Sequence, residues 1–472
     1  MSDRLLSGHD SLDAVLDGGL PSNAISLIMG LPGTGKTIVA QQYAFHNASP
    51  QSPAVYFSTV SEPLEKIVRF AQSLEFFDES AIGTSVFYED LGAVLSSEGL
   101  AGVGRQVAKV LQQRRPGLVV IDSFKALHAF EAGERDFRQF LHELAGRLTA
   151  YPAASLWLGE YEQADVGVLP EFAVADAILD LATDQFSQRE LRFLQVRKLR
   201  GSSFRSGRHA YRLSSTGIHV FPRLADLPDA TVYQMGDVRV SSGIPALDDL
   251  LADGYWPGAS TLIAGPSGCG KTLMGLHFIF NGARGGEPGV IANLQENRTQ
   301  LRRIAAGFGW SLDEPLIDVM YRSPVDIYID EWADDLFRTV DRTGARRVVI
   351  DSLTDLRLAA PDEVRFREFV YSMVQRFSRQ GVSVMMTLEV HDLFGTGRLS
   401  EGAISHLSDN VVLLRYIQEV AEISRAISVI KTRASRHVPV SFTFDIGPDG
   451  ITLGDPISLA AEPQGDGEAP AI

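Results

Sequence analysis

Apolar and polar positions along the chain fall into two series of the same kind. Short apolar runs at 24–29, 54–58 and 119–122 recur as runs at 260–264, 290–294 and 348–351. Runs of this length without alternation suit central parallel strands covered on both faces. Segments starting at Lys36 and Lys271, and the stretch 363–379, place apolar residues at helical spacing; 382–388 then reads as another strand. Each series closes on runs that predict an antiparallel extension, at 177–181, 191–199 and 211–213, then at 411–415 and 427–431. Strands alternating with helices predict an α/β fold built twice, each copy a mostly parallel central sheet flanked by helices.

Landmarks in the two series keep the same order. Ser7-Gly8-His9-Asp10-Ser11-Leu12-Asp13 matches Ser242-Gly243-Ile244-Pro245-Ala246-Leu247-Asp248. Val119-Val120-Ile121-Asp122-Ser123 matches Val348-Val349-Ile350-Asp351-Ser352, and Lys198-Leu199-Arg200 matches Lys431-Thr432-Arg433. Such ordered recurrence indicates a tandem duplication. The boundaries expected are a first domain over 1–221, a linker over 222–237, a second domain over 238–455 and a disordered tail over 456–472. The linker is rich in Pro and Asp and has no period, and the tail is polar and glycine-containing.

The chemistry is carried by two phosphate-binding loops, Gly30-Leu31-Pro32-Gly33-Thr34-Gly35-Lys36-Thr37 and Gly265-Pro266-Ser267-Gly268-Cys269-Gly270-Lys271-Thr272. Both fit G-x-x-x-x-G-K-[ST] without mismatch. Glycines let successive N–H groups curl around phosphates, the lysine supplies a point charge, and the threonine hydroxyl can ligate Mg²⁺. Strand, loop and helix follow in the order this motif requires, so ATP with Mg²⁺ is expected at both. Cys269 reads as a small residue that fits its loop.

Asp122 and Asp351 end apolar strands, where a carboxylate can hold Mg²⁺; capping the next helix is the other reading. Glu62 and Glu296 follow the second strand of each half and can orient or deprotonate an attacking water. A helix-dipole role is the alternative for both. Glu160 and Glu389, at the end of a later strand, are weaker candidates for sensing the γ-phosphate. Lys198 and Arg200, like Lys431 and Arg433, lie in predicted strands two residues apart, on one face. Basic residues on an edge strand often serve only to block aggregation. Their recurrence fits a finger pair reaching a neighbouring subunit's nucleotide.

Length and composition narrow the classes. A chain of 472 residues with 45% hydrophobic and 22% charged residues can build more than one full core. No apolar stretch is long enough to span a membrane, and the first residues hold no secretory-type apolar run. A single cysteine precludes an intrachain disulfide and fits a reducing cytoplasm. A formal net charge of −16 disfavours non-specific nucleic-acid binding.

Taken together, the tandem arrangement, the S-G-x-x-x-L-D lead-ins, the I-D-S strand ends and Lys198-Leu199-Arg200-Gly201 resemble the KaiC-like family of RecA/DnaB-type ATPases. The stretch from Ser424 to Arg433 is similar to the family's segment bearing trans-acting Lys and Arg. The resemblance runs from about Leu5 to Gly450 and implies two RecA-like P-loop NTPase domains. It also implies a double-ring homo-hexamer with ATP at subunit interfaces, ATP hydrolysis, and a protein signalling partner. The family includes the ATPase and autokinase of the cyanobacterial clock.

Departures from that family pattern are specific. Two consecutive glutamates are reduced to Ser61-Glu62 and Gln295-Glu296, and the missing one in the second half is the family's autophosphorylation base. The adjacent Ser and Thr phosphoacceptors become Ser405-His406, leaving Ser405 as the candidate phosphoacceptor for serine autokinase activity. The first-half counterpart of Ser405 is Phe172. The segment after Asp449 does not match the family's regulator-binding end. Two other classes remain: a RecA- or DnaB-like DNA motor, and a scaffold assembled by ATP with little turnover. Segments 127–135 and 356–364, the candidate channel positions, mix Arg with Glu and Asp and form no basic track.

Overall fold

The computed structural model describes residues 4–59, 63–131, 133–186, 189–225, 236–360, 362–390, 406–419 and 422–457. The chain forms two compact units, Met1–Arg223 and Leu224–Ile472. The first is built on strands β1 (Ile25–Met29), β2 (Ala54–Ser58), β3 (Val86–Asp90), β4 (Leu118–Asp122), β5 (Ala154–Gly159), β6 (Ala177–Phe186), β7 (Arg189–Leu199), β8 (Arg208–Ser214) and β9 (Gly217–Phe221). Its main helices are α1 (Lys36–Asn47), α2 (Leu64–Ala71), α3 (Gly92–Arg114) and α4 (Glu134–Ala150).

The second unit is built on β10 (Ser260–Gly265), β11 (Gly289–Asn293), β12 (Ile317–Tyr321), β13 (Arg347–Asp351), β14 (Ser383–Glu389), β15 (Asn410–Glu419), β16 (Glu422–Thr432), β17 (Ser441–Gly447) and β18 (Gly450–Pro456). Its main helices are α5 (Lys271–Arg284), α6 (Arg298–Gly307), α7 (Ile329–Thr343) and α8 (Glu363–Arg379).

Each unit has one nine-stranded sheet, in the orders β3-β2-β4-β5-β1-β6-β7-β8-β9 and β12-β11-β13-β14-β10-β15-β16-β17-β18. Strand for strand the two orders are the same. Pairing is parallel from β3 to β6 and antiparallel from β6 to β9, and the second sheet repeats this. The expected α/β fold is therefore present twice. Helix α8 spans the stretch the apolar spacing marks, and β2 has the bounds of its apolar run.

Alternate residues of each central strand feed different cores. Ile28, Tyr56 and Val120 pack with α1, while Leu27, Val55 and Ile121 pack with α3 and α4. Burial on both faces, at about 1.5–3 kcal/mol per aliphatic side chain, is why these strands read as continuous apolar runs. The antiparallel hairpins run further than the apolar pattern indicates. Their outer parts carry Thr183, Asp184, Gln185 and Arg189, polar residues that are half-buried or exposed and blur the signal. Strands β9, β17 and β18 carry no run that marks them beforehand. Helix α3 is interrupted at Gly99, whose φ of 61° and ψ of −159° are non-helical. The expected linker falls largely, and the tail almost wholly, outside the described residues. Among the described residues no helix is long and apolar enough to cross a membrane.

One contact pins the last hairpin of each unit to its phosphate-loop helix. In the first, Gln42 Oε1 on α1 accepts the Ile218 N–H at 3.0 Å. In the second, His277 Nε2 on α5 accepts the Ile451 N–H at 3.0 Å, beside Trp310. Gly217 (φ 99°) and Gly450 (φ 102°) leave room, since a Cβ there would stand 2.1 Å from Gln42 and 2.2 Å from His277. Burial lowers the His277 pKa from 6.5 to about 4, against a hydrogen bond to the Gly243 backbone that raises it. The folded chain thus resists a proton that the unfolded chain binds. This part of the stability is complete above about pH 6.5 and is lost as pH falls towards 4. We expect wild type to lose on the order of 2 kcal/mol relative to His277→Gln between about pH 7 and pH 4.5, read by urea unfolding. A pH-independent difference would contradict this.

Candidate nucleotide sites

Each phosphate loop joins a central strand to a helix, so the helix N-terminus and its free N–H groups face the loop. Gly35 (φ 91°) and Gly270 (φ 107°) are the left-handed residues that turn the loop into α1 and α5. Lys36 Nζ donates to the Gly30 and Leu31 carbonyls, each at 3.0 Å. Lys271 Nζ donates to the Gly265 and Pro266 carbonyls at 2.9 and 2.8 Å. Burial lowers the Lys36 pKa, and the charges of Glu160 and Asp122 oppose it. A Cβ at Gly30 would lie 2.2 Å from the Leu181 carbonyl oxygen, and at Gly265 2.7 Å from that of Leu414.

Within the loops, Gly33 and Gly268 take φ of 82° and 74°. Thr34 Oγ1 donates to the Leu31 carbonyl at 2.9 Å; the buried Cys269 stands in the equivalent place. Burial raises the Cys269 pKa, which keeps it a thiol. The Ser267 carbonyl accepts the Tyr416 hydroxyl at 3.3 Å. The first loop opens into a cavity of about 540 Å³ whose lining includes Lys36, Thr37, Phe70, Asp122, Ser123 and Glu160.

The strand-end aspartates meet the loop threonines. Thr37 Oγ1 donates to Asp122 Oδ2 at 2.9 Å, and Thr272 Oγ1 to Asp351 Oδ2 at 2.7 Å. A hydroxyl and a carboxylate are hard oxygen donors, which fits Mg²⁺. Among the described residues no cluster of three or more His, Cys, Asp or Glu forms a metal cage. Each aspartate also accepts a second, buried hydroxyl: Tyr56 on Asp122 and Thr387 on Asp351. Burial, then Asp122, pushes the Tyr56 phenol well above its usual range. Sequence reasoning overlooks both, although a hydroxyl inside a buried apolar run is itself a signal of a partner.

Glu296 is half-buried after β11. Asn293 Nδ2 donates to Glu296 Oε2 at 3.1 Å, while Asn293 Oδ1 accepts the N–H groups of Gln295 and Glu296 at 2.9 and 3.2 Å. Gln295 Nε2 stands 3.5 Å from the hydroxyl of Ser352, the residue after Asp351. Glu62 lies outside the described residues, as does Ser405. Ser58 and Asn293 occupy equivalent strand ends, opposite Asp122 and Asp351. The connection to the next helix is one residue longer in the first half. Counting from the strand puts Ser61 opposite Glu296; counting from the helix puts Glu62 there. Glu160, exposed, lines the first cavity beside Lys36, and the Glu389 N–H donates to Thr354 at 3.0 Å.

The basic pairs sit at the other end of the sheet. Lys198 and Lys431 lie in β7 and β16, but Arg200 and Arg433 fall just past the strand ends, not within them as the spacing predicts. The strand ends there because the chain turns, so a loop rather than strand pleating aims each Arg. Lys198 Nζ donates to the Phe172 and Ala173 carbonyls, both at 3.3 Å, and Arg200 pairs with Asp176 at 3.1 Å. Lys431 Nζ donates to the Ser408 carbonyl at 2.6 Å, and Arg433 Nη2 to the His406 carbonyl at 3.0 Å. Burial lowers both lysine pKa values, and the neighbouring arginine adds to this. Asp176 and Asp409 accept the N–H groups that open β1 and β10, at 3.2 and 2.9 Å.

Two arginines in or beside the second candidate channel segment are engaged within the chain. Arg357 pairs with Glu363, and Arg365 forms a buried pair with Asp330.

Two nine-stranded sheets, each with a phosphate loop, a Thr–Asp pair and a distal basic pair, define a tandem RecA-like P-loop ATPase fold. Residues 6–225 and 240–457 each match the family described as "ATPase: KaiC". The chain belongs to the KaiC ATPase family. The circadian clock oscillator protein KaiC of a Picosynechococcus species is 26% identical over 461 residues, covering 94% of this chain and 88% of that protein. The protein of the same name from Synechococcus elongatus is 26% identical over 462 residues, with coverage of 94% and 88%. Circadian clock protein KaiC3 of a Synechocystis species is 26% identical over 473 residues, covering 96% and 92%.

With two loops built alike, calorimetric titration should find about two ATP bound per wild-type chain, about one in Lys36→Ala or Lys271→Ala, and none in the double variant. Equal stoichiometry in all four chains would remove the loops from nucleotide binding.

Proposed function

We propose that the chain binds and hydrolyses ATP with Mg²⁺ at both phosphate loops and assembles as a homo-hexamer with ATP between neighbouring copies. The observation that carries this reading is the position of the basic pairs. Lys198 and Arg200 flank the start of β1, beside Asp176, whereas the phosphate loop follows its end. Lys431 and Arg433 are placed in the same way about β10. At ~3.3 Å per residue, each strand holds its basic pair about 15 Å from its own loop. The nucleotide of a neighbouring copy is the charge that such a pair fits, and a cation there stabilises the transferring phosphoryl group.

Within one site, Lys36 or Lys271 neutralises phosphate oxygens, and Thr37 with Asp122, or Thr272 with Asp351, holds the metal. Bound Mg²⁺ supplies Lewis-acid stabilisation of the phosphate oxygens. Glu296 orients the attacking water in the second half, and Glu62 is its counterpart in the first. The names of the relatives support a role in timing or signalling, in which a protein partner reads the nucleotide state of the assembly. The acidic charge and the paired Arg357 and Arg365 speak against nucleic acid as that partner.

A chain with all four finger residues changed to Ala should retain nucleotide binding and lose turnover roughly 10³-fold. Mixing it with a Lys36→Ala chain, which keeps its fingers, should restore turnover at least roughly tenfold. Binding lost with the fingers, or no recovery on mixing, would contradict action between copies. Because Gln295 replaces a carboxylate, hydrolysis is expected without phosphoryl transfer to Ser405. The mass of one phosphoryl group added at Ser405 after incubation with Mg-ATP would contradict that.

A further inference from the structure

The two halves hold their strand-end aspartates by different hydroxyls, donated from opposite sides. Strand β4 lies between β2 and β5, and β13 lies between β11 and β14. In the first half the second hydroxyl comes from β2, where Tyr56 OH donates to Asp122 Oδ2 at 2.5 Å. In the second half it comes from β14, where Thr387 Oγ1 donates to Asp351 Oδ1.

The strand register shows what stands at each vacated place. Leu158 of β5 lies opposite Asp122, where Thr387 lies relative to Asp351 one step beyond the Ile350–Met386 pair. Ile291 of β11 pairs with Val349, as Tyr56 pairs with Val120. Both apolar replacements are buried, Leu158 fully and Ile291 at 2% exposure. Neither can bond a carboxylate. Each half therefore has one hydroxyl and one aliphatic side chain at these two positions, with the order reversed.

This reciprocal arrangement has a physical cause. A carboxylate taken from water needs its lone pairs satisfied, and the loop threonine satisfies only part of them. A hydroxyl from a neighbouring rigid strand also fixes the carboxylate's rotamer. Groups that hold a metal ligand in this way commonly change metal affinity by an order of magnitude or more.

We propose that Tyr56 is the positioning residue for the metal-side carboxylate of the first nucleotide site, performing there the task that Thr387 performs in the second. The proposal rests on the nucleotide reading of the two loops. It assigns a role to a tyrosine that otherwise reads as core, beside Tyr88 on β3. It also makes Leu158 the reason that Tyr56 is needed.

The test uses the full chain carrying Lys271→Ala, so that only the first site reports. Binding of a fluorescent, slowly hydrolysed ATP analogue is titrated with Mg²⁺. Tyr56→Phe should raise the Mg²⁺ needed for half-maximal tightening roughly tenfold, with metal-free binding unchanged. Adding Leu158→Thr, which installs the other half's hydroxyl, should bring it back to within roughly threefold of the parent chain. A second arm repeats this at the other site, with Lys36→Ala as background, Thr387→Val as the near-isosteric loss and Ile291→Tyr as the restoration. It carries the test if Tyr56→Phe fails to fold. An unchanged Mg²⁺ requirement in folded Tyr56→Phe, or a loss that Leu158→Thr does not restore, overturns the assignment alone. Absence of Mg²⁺-dependent binding in the parent chain overturns the nucleotide reading and this proposal with it.

Discussion

The carboxylate at the end of a buried central strand is the constraint on which each half is organised. Asp351 is buried and Asp122 half-buried, and both accept hydroxyls from the phosphate-loop threonines. An ionised group in that position is tolerated only when its oxygens are bonded. Satisfying it requires the first turn of α1 or α5 to lie against the end of β4 or β13. This in turn brings the loop, the lysine and the metal-side donors together. The parallel sheet is what makes the meeting possible, because its strands all end on the side where the loops lie.

The same topology separates two kinds of positive charge. Lysines of the loops stand at the carboxyl ends of β1 and β10, and the basic pairs stand at the opposite ends of those strands. Asp176 and Asp409 anchor both features, since each accepts the N–H that opens its central strand and pairs with the arginine that follows. A chain built like this carries a nucleotide site at one end of each sheet and a cation pair at the other. Copies arranged head to tail around a ring would bring the two together.

Divergence between the halves has proceeded by exchange of partners rather than by change of fold. Gln42 and His277 perform one task with an amide and a neutral imidazole. Leu118 and Arg347 occupy equivalent places at the start of β4 and β13. The buried guanidinium of Arg347 is matched by Glu287 at 2.7 Å and by the Ser241 and Phe278 carbonyls at 2.8 and 2.9 Å. The loops, the aspartates and the repeat were legible in the residues alone, because phosphate and metal chemistry dictate local sequence. Tyr56 and Thr387 were not, since their role depends on which strands are neighbours. The offset between Glu62 and Glu296 was hidden for a related reason: a one-residue difference in loop length shows only once strand and helix ends are both known. The outer halves of the hairpins were lost to polar, only partly buried residues, and α3 to its glycines.

The most direct measurement for the central claim is the mass of the chain in solution, by light scattering after size exclusion, with and without Mg-ATP. Sites completed by a neighbouring copy require Mg-ATP to drive wild type to six copies, and Lys36→Ala to weaken that assembly. A chain that binds two ATP yet keeps the mass of a monomer, and hydrolyses ATP at a rate independent of protein concentration, would contradict it.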